Sequence, residues 1–321
     1  MRFALPLFTL SWLLTSSVCT AQATWPSQPV RIVVPFAPGA FTDIAARSFA
    51  AELTTQLGQQ FVVDNRTGAG GIVGMDIVAK ATPNGNTLLV TDNSLTITPA
   101  LYEKLPYDPL RDLAHVGKIA ESPTLLVAAL KVPAKSVTEL IEVARSRPAE
   151  LTYGSGGQGS AAHLAMELLL SLSKTRMTHV PFKGVALSIA GVMAGQIDLS
   201  FGSLAAGMPH VNAGRVRAMA VSGGSRSATL PAVPTFAEAG YPAYSFMHWW
   251  SMAVPSSTPA LVIAKISKEM ATATSSARLK DSFKAQGAIP IAGTPAEMKK
   301  LAESEITLWR EIIKKAGIKV E

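Results

Sequence analysis

Residues 30–58 read VRIVV PFAPGA FTDIAARSFAAELTTQL G, and the order of these parts decides the fold class. Val30 to Val34 is a short run of branched apolar residues interrupted only by Arg31, the composition of a buried strand. Pro35 to Ala40 brings two prolines and a glycine, which break the strand before any helix can start. Ala45, Phe49, Leu53 and Leu57 then recur at every fourth residue, so they share one helix face, and Gly58 supplies the cap that ends it. Thr42 or Asp43 is the expected cap at the helix start.

The same grammar repeats outward from this unit. Phe61-Val62-Val63 precedes a glycine turn and a helix, Thr87 to Val90 is the next buried strand, and Ser136-Val137-Thr138-Glu139 has the form of a capping box. SPTLLVAA, residues 122–129, leads away from this set. A second set follows through Leu151 to Tyr153, Met177 to Phe182 and Val216 to Val221. The proline-rich connector Leu230-Pro231-Ala232-Val233-Pro234 precedes two helices, expected to open at Thr258-Pro259 and at Thr294-Pro295-Ala296-Glu297 with Pro first in each. Alternating strand and helix predict an α/β chain with mostly parallel sheets. Its length exceeds what one core usually holds, which predicts two lobes, residues 24–124 with 227–321 and residues 125–226. Open α/β sheets bind ligands at the C-terminal ends of their strands, so a cleft between the lobes is the expected site.

The N-terminus predicts the compartment. Arg2 precedes an apolar run from Phe3 to Leu14, followed by small polar residues and Ala21-Gln22-Ala23, the layout of a signal peptide of residues 1–23 cleaved before Thr24. A lipoprotein signal ending at Cys19 competes, against the grain of Ser16 and Val18. A membrane anchor needs roughly 18 or more apolar residues, which this run lacks. Cys19 is the only cysteine, so the processed chain would hold no thiol, excluding disulfides, thiolate metal sites and cysteine nucleophiles. The formal charge of +7 is dispersed, its densest pairs being Lys299-Lys300 and Lys314-Lys315, whereas nucleic-acid binders concentrate theirs. Such a potential either draws anions or only keeps the chain soluble.

Three loops have the composition to hold an anion. Pro35 to Asp43 fixes a tight backbone ahead of a helix whose first N–H groups attract a carboxylate. Gly68-Ala69-Gly70-Gly71 with Gly74 precedes another helix and reads equally as a tight turn against the sheet. Tyr153 to Ser160, YGSGGQGS, contains G-x-G-x-x-G at Gly154, Gly156 and Gly159. A dinucleotide would also need an acid about 20 residues on, and Thr178 to Phe182 offers none, so no cofactor is expected. What remains is backbone that can approach an anion, with Ser155 and Ser160 as hydroxyl donors.

Catalytic readings fail on inventory: G-x-S-x-G, H-E-x-x-H and a Walker loop are absent from the sequence, and His115, His163, His179, His210 and His248 lack ligand spacing, so no metal is expected. Ser160 with His163 could form a nucleophile and base, but a histidine that orients the loop is the favoured reading. Trp249 and Trp250 either line the cleft or fill the core.

Eight stretches, WPSQPVRIVVPFAPGAFTDIAAR, VVDNRTGAGGIVG, LYEKLPYDPLRDL, VPAKSVTELI, YGSGGQGSAAHLAMEL, HVPFKG, MPHVNAGRVRAMAV and LPAVPTFAEAGYP, resemble the Bug-type extracytoplasmic solute receptors of tripartite tricarboxylate transporters. The resemblance runs from Trp25 to about Ile318. It implies a two-lobed periplasmic binding protein type II fold without catalysis, in which a carboxylate or related small anion or amide is held by backbone N–H groups and waters between the lobes. It also implies delivery to membrane transporter subunits; a monomer is expected, and the dispersed charge argues against a nucleic-acid partner. By this resemblance Phe36, Ala37, Pro38, Gly39, Ala40, Phe41, Thr42 and Asp43, with Ser155, Gly156, Gly157, Gln158, Gly159 and Ser160, grip the ligand. Ser94, Asp198 and Ser203 are expected close by.

Two departures from the family pattern bear on specificity. Ala40-Phe41 stands where the family usually has a glycine and a small residue, so the Phe41 ring is expected to narrow the cleft or make it more apolar. Phe201-Gly202-Ser203 lacks the acid and amide that relatives carry, which predicts an acid without an amino group, aromatic or apolar. An exported enzyme using Ser160 or Thr42, and a ligand sensor feeding a signalling partner, are the rival classes.

Overall fold

The computed structural model describes residues 25–319; the expected signal segment, with Cys19, lies outside the described residues. The chain begins β1 (Val30–Val34), α1 (Phe41–Leu57), β2 (Phe61–Asn65), α2 (Ile72–Ala79), β3 (Thr87–Asp92), α3 (Ser94–Leu101) and β4 (Leu113–Ser122). It continues β5 (Thr124–Ala128), α4 (Val137–Ser146), β6 (Thr152–Ser155), α5 (Ala161–Ser173), β7 (Thr178–Pro181), α6 (Val185–Met193), β8 (Leu199–Ser203), α7 (Leu204–Asn212) and β9 (Arg217–Val221). It ends β10 (His248–Pro255), α8 (Ala260–Thr274), α9 (Ala277–Ala285), β11 (Ile289–Pro290) and α10 (Pro295–Ala316). No helix among the described residues is long and apolar enough to cross a membrane.

These strands form two sheets, a six-stranded one in the order β11-β4-β10-β3-β1-β2 and a five-stranded one in the order β7-β6-β8-β5-β9. In the first, β1 pairs parallel with β2 and β3, while β10 lies antiparallel between β3 and β4. In the second, β6 pairs parallel with β7 and β8, while β5 lies antiparallel between β8 and β9. β11 also pairs antiparallel with β4, at the edge of the first sheet, while β10 and β5 are the crossing strands. The chain leaves β4 for β5 across Pro123 alone, and it returns from β9 to β10 through residues 222–247. Each sheet is therefore a parallel set into which a strand arriving from the other is inserted antiparallel, and the first sheet adds β11 at its edge.

Burial explains the β1 composition. Ile32 and Val34 face a core with Phe49 and Leu53 of α1, Ile266 of α8 and Phe283 of α9. Val33 faces the opposite core with Met75 of α2, Trp249 of β10 and Met298 and Ala302 of α10. A strand covered by helices on both sides reads as a continuous apolar run rather than an alternating one. A third core surrounds the second sheet. Leu230, Val233, Phe236, Tyr244 and Phe246 of the connector join it, as do Trp309, Ile312 and Ile313 of α10. The C-terminal helix thus packs into cores on both sheets.

Helix starts follow the sequence in part. Thr294 caps α10 with a full capping box: its Oγ1 accepts from the Glu297 N–H, and Glu297 Oε2 accepts from the Thr294 N–H at 2.9 Å. At α4 only half the box forms, because Glu139 Oε2 accepts from the Lys135 N–H rather than from Ser136. The expected opening of α8 at Thr258 is corrected. Thr258 closes a turn with its N–H on Pro255 O, which leaves Pro259 at the cap without a side-chain bond.

Candidate functional site

A cavity of about 310 Å³ lies where the loops of the two sheets meet. Phe36 comes from the β1–α1 loop, Gly70 from the turn ahead of α2, and Asp92, Ser94, Ile97, Thr98, Leu101 and Tyr102 from the β3–α3 segment; Gly156 to Ala161 close it from the second sheet. Its volume is at the lower end of the roughly 300–1,000 Å³ of small-molecule pockets. A larger groove, about 440 Å³, runs between α5 and α10. Its wall contains Lys174, Arg176 and Lys315, and none of the strand-end loops where an α/β sheet presents a ligand.

The starts of α1 and α5 share one construction. In each, a glycine with positive φ, Gly39 at +85° and Gly159 at +69°, sits just before the cap residue. In each, that glycine's N–H donates to the side chain four residues on, at 3.0 Å: Gly39 to Asp43 Oδ2, and Gly159 to His163 Nδ1. The cap residues are Ala40, without a side-chain bond, and Ser160, whose Oγ accepts from the His163 N–H. The expected capping of α1 by Thr42 or Asp43 is corrected accordingly: Asp43 lies in the first turn and reaches back.

The two acceptors differ in charge. Asp43 is buried and also receives Asn65 Nδ2 and Arg47 Nε, both at 3.0 Å. Burial alone would raise its pKa, but the hydrogen bonds from Arg47, Gly39 and Asn65 and the Arg47 charge outweigh that and hold the carboxyl below its ordinary range. His163 is buried and neutral, pushed down to about 3 by desolvation with His179 beside it. The rings of His163 and His179 stack 3.7 Å apart, and His179, taken by burial to about 4, meets Ser155 Oγ through Nε2 at 2.7 Å. With Nδ1 of His163 accepting, its proton resides on Nε2, 3.9 Å from Glu167 Oε1. Burial raises the Glu167 pKa despite the hydrogen bond from Tyr153, whose hydroxyl donates to it at 2.5 Å. His163 therefore fixes the loop and does not serve Ser160 as a base.

Several expected site residues are occupied elsewhere. Ser155 is fully buried, and its Oγ donates to Gly157 O at 2.9 Å and accepts from the Gly157 N–H. The Gly159 N–H is taken by His163, and a Cβ at Gly159 would run into Leu101 of the facing α3. Thr42 Oγ1 accepts from Trp250 Nε1 at 3.1 Å, and both tryptophans are core residues. The Phe41 ring packs edge-on against Trp250 at 4.2 Å and Phe283 at 5.1 Å, so it joins an aromatic core and does not narrow the cavity. Ala37, Pro38, Gly39 and Ala40 flank Phe36 but do not line the cavity.

Asp198 lies at the opposite end of the second sheet, where its Oδ2 accepts from Thr152 N and Oγ1 and its Oδ1 faces Lys131 at 3.3 Å. Ser203 caps α7 through the Ala206 N–H. A Cβ at Gly202 would meet Val185 and Ile189 of α6, so an acid at this position would not point into the cavity. The ligand class expected from its absence loses that support.

Of the residues expected to hold the ligand, Phe36, Ser94 and Gly156 to Ser160 line this cavity, together with Asp92, Ile97, Thr98, Leu101 and Tyr102, which the sequence did not single out. The missed segment, DNSLTITPALY, has no glycine to mark it, yet it follows a buried strand as the other loops do. Asn93, fully buried, pins it: Nδ2 donates to Met247 O, and Oδ1 accepts from the Trp249 N–H. Among the described residues no cluster of His, Cys, Asp or Glu could hold a metal ion.

What the cavity offers an anion is the start of α5. Ala161 and Ala162 are its first two helical residues, whose N–H groups have no acceptor within the helix, and its first turn holds no acid. Residues 45–318 match the family described as tripartite tricarboxylate transporter family receptor. Protein BugT of Bordetella pertussis is 33% identical over 300 residues, covering 93% of this chain and 92% of its own. A Rhodopseudomonas palustris structure with adipate has a TM-score of 0.79 at 36% identity, covering 92% of this chain and 99% of that one. MatC of the same organism, with bound malate, has a TM-score of 0.76 at 31% identity, covering 90% and 100%. The chain thus belongs to the tripartite tricarboxylate transporter receptors of the Bug type, a family of periplasmic solute-binding receptors and not of enzymes.

Proposed function

We propose that this receptor is exported to the periplasm, captures a small carboxylate between two lobes, residues 24–124 with 227–321 and residues 125–226, and passes it to the membrane subunits of a tripartite transporter. The observation that carries this reading is the start of α5. Ser160 and Ala161 stand in the cavity wall, the first helical N–H groups have no acceptor within the helix, and among the described residues no Lys, Arg or His lines the cavity to hold an anion by side-chain charge. A helix N-terminus carries about half a positive charge and donors already aimed at the ligand. Relatives solved with adipate and with malate, both carboxylates, support the same chemistry.

Native mass spectrometry of protein released from the periplasm, followed by calorimetric titration with the resident compound, tests it. A carboxylate of a few hundred daltons or less and a chain that starts at Thr24 are the expected results. A non-acidic ligand overturns the carboxylate reading, and a chain that keeps Met1 in the cytoplasm overturns export.

A further inference from the structure

Asp92 is the only carboxylate or cation in the cavity wall; the other residues there are aliphatic, aromatic, hydroxyl, amide or glycine. Its Oδ1 accepts from the Ser94 N–H at 2.9 Å, at the start of α3. Among the described residues the basic group within ion-pair distance is His248, whose Nε2 lies 3.6 Å from Oδ2. That separation is too long for a hydrogen bond, and His248 Nε2 is itself buried without a partner. Oδ2 therefore keeps its acceptor capacity in a partly buried site open to the cavity, where a ligand donor can take the place of water.

The starts of α1, α3 and α5 are unequal in the same respect, and that of α2, preceded by Gly70 of the wall, also has no acid in its first turn. Asp43 answers the start of α1 and Asp92 that of α3, whereas no acid answers that of α5. A carboxylate docked at Ala161 and Ala162 gains from α5, but a second carboxylate reaching the α3 wall would meet Asp92 with no cation in the wall to offset it. A hydroxyl, amide or ammonium group arriving there meets an acceptor.

We propose that this receptor selects monocarboxylates whose far end donates a hydrogen bond to Asp92, and discriminates against diacids of the same length. The inference rests on the reading that the ligand's carboxylate docks at the start of α5. It makes Asp92 a specificity-determining residue.

Calorimetric titration of the wild type and of Asp92→Asn with matched acids of about four to eight carbons, ending in methyl, hydroxyl, primary amide, ammonium or a second carboxylate, tests it. At the best-fitting length the wild type should bind a donor-ended acid at least tenfold more tightly than the diacid, about 1.4 kcal/mol. Asp92→Asn should narrow that ratio at least fivefold, by weakening the donor-ended acid and strengthening the diacid. The asparagine retains an oxygen for the Ser94 N–H, and circular dichroism checks its folding. The wild-type ratio stands without the variant. A wild type that prefers the diacid, or a folded, binding variant with an unchanged ratio, overturns the proposal. If acids bind with no regard to their far ends, the proposal falls and the carboxylate reading stands. If no acid binds, both fall.

Discussion

Set side by side, the starts of α1 and α5 are one device built twice with different acceptors. Both use a positive-φ glycine whose N–H is received by the side chain of the third helical residue, Asp43 in one case and His163 in the other. The anion at α1 consumes the positive end of its helix, and Arg47 and Asn65 complete a closed polar cluster. The neutral imidazole at α5 gives the same geometry without the charge, so that helix end remains available to a ligand. Loop composition alone does not separate the two helix ends; the charge of one acceptor does.

Giving α5 the acceptor of α1 should abolish the distinction and carries the largest expected effect. His163→Asp would place a carboxylate beside the docked ligand, and two charges about 6 Å apart at an effective dielectric of about 20 repel by about 3 kcal/mol. Titration should show affinity falling on the order of a hundredfold, whereas His163→Asn, a neutral acceptor, should stay within about threefold of wild type. An equal loss in both variants would mean that His163 acts only by shape.

Gly159→Val should come next, at about 2 kcal/mol or roughly thirtyfold in affinity, since it forces a branched residue into left-handed backbone and into Leu101. Gly39→Ala has the same sign of φ but nothing within 4 Å of the new Cβ, so its cost should be roughly 1 kcal/mol of stability, read by denaturant titration. Similar costs at both glycines would show that strain dominates over contact.

Acid should separate the two regions more gently. His163 and His179 have folded pKa values of about 3 and about 4, below an unfolded value of about 6.5. The stability they contribute is present above that value and drains as pH falls toward 4, because the unfolded chain binds the protons first. Asp43, held below its ordinary range, keeps its contribution until about pH 4 and loses it only below. Hydrogen exchange at pH 5 should therefore be faster than at pH 7 in the first turn of α5, after correction for intrinsic rates, and unchanged in that of α1. The smallest effect is expected at Lys183, exposed beyond β7, where alanine should change affinity by less than about 1 kcal/mol. Loss of binding there would mean that a side-chain cation holds the ligand after all.

The legible part of this molecule is the part written in neighbouring residues. The apolar run of β1, the fourfold spacing of α1 and the glycines of YGSGGQGS announce strand, helix and loop without reference to anything distant. The direction of the Phe41 ring depends on Trp250 and Phe283, and the withdrawal of Asp198 depends on Lys131 and Thr152, partners that only the fold brings near. Apart from Ser94, the wall residues from Asp92 to Tyr102 carry no glycine signal in the sequence, because this wall of the cavity is a helix held by Asn93.

The long C-terminal helix has a mechanical consequence. Met298 and Ala302 near its start are embedded beside the first sheet, and Trp309, Ile312 and Ile313 near its end are embedded beside the second, so the helix acts as a splint across the joint. Any wide yawning of the cleft must bend this rod or peel its last turns away, and each large apolar side chain uncovered costs about 1.5–3 kcal/mol. Such a splint would act as a stop on opening, and Trp309 is placed to report it, since lifting of the helix would uncover its ring.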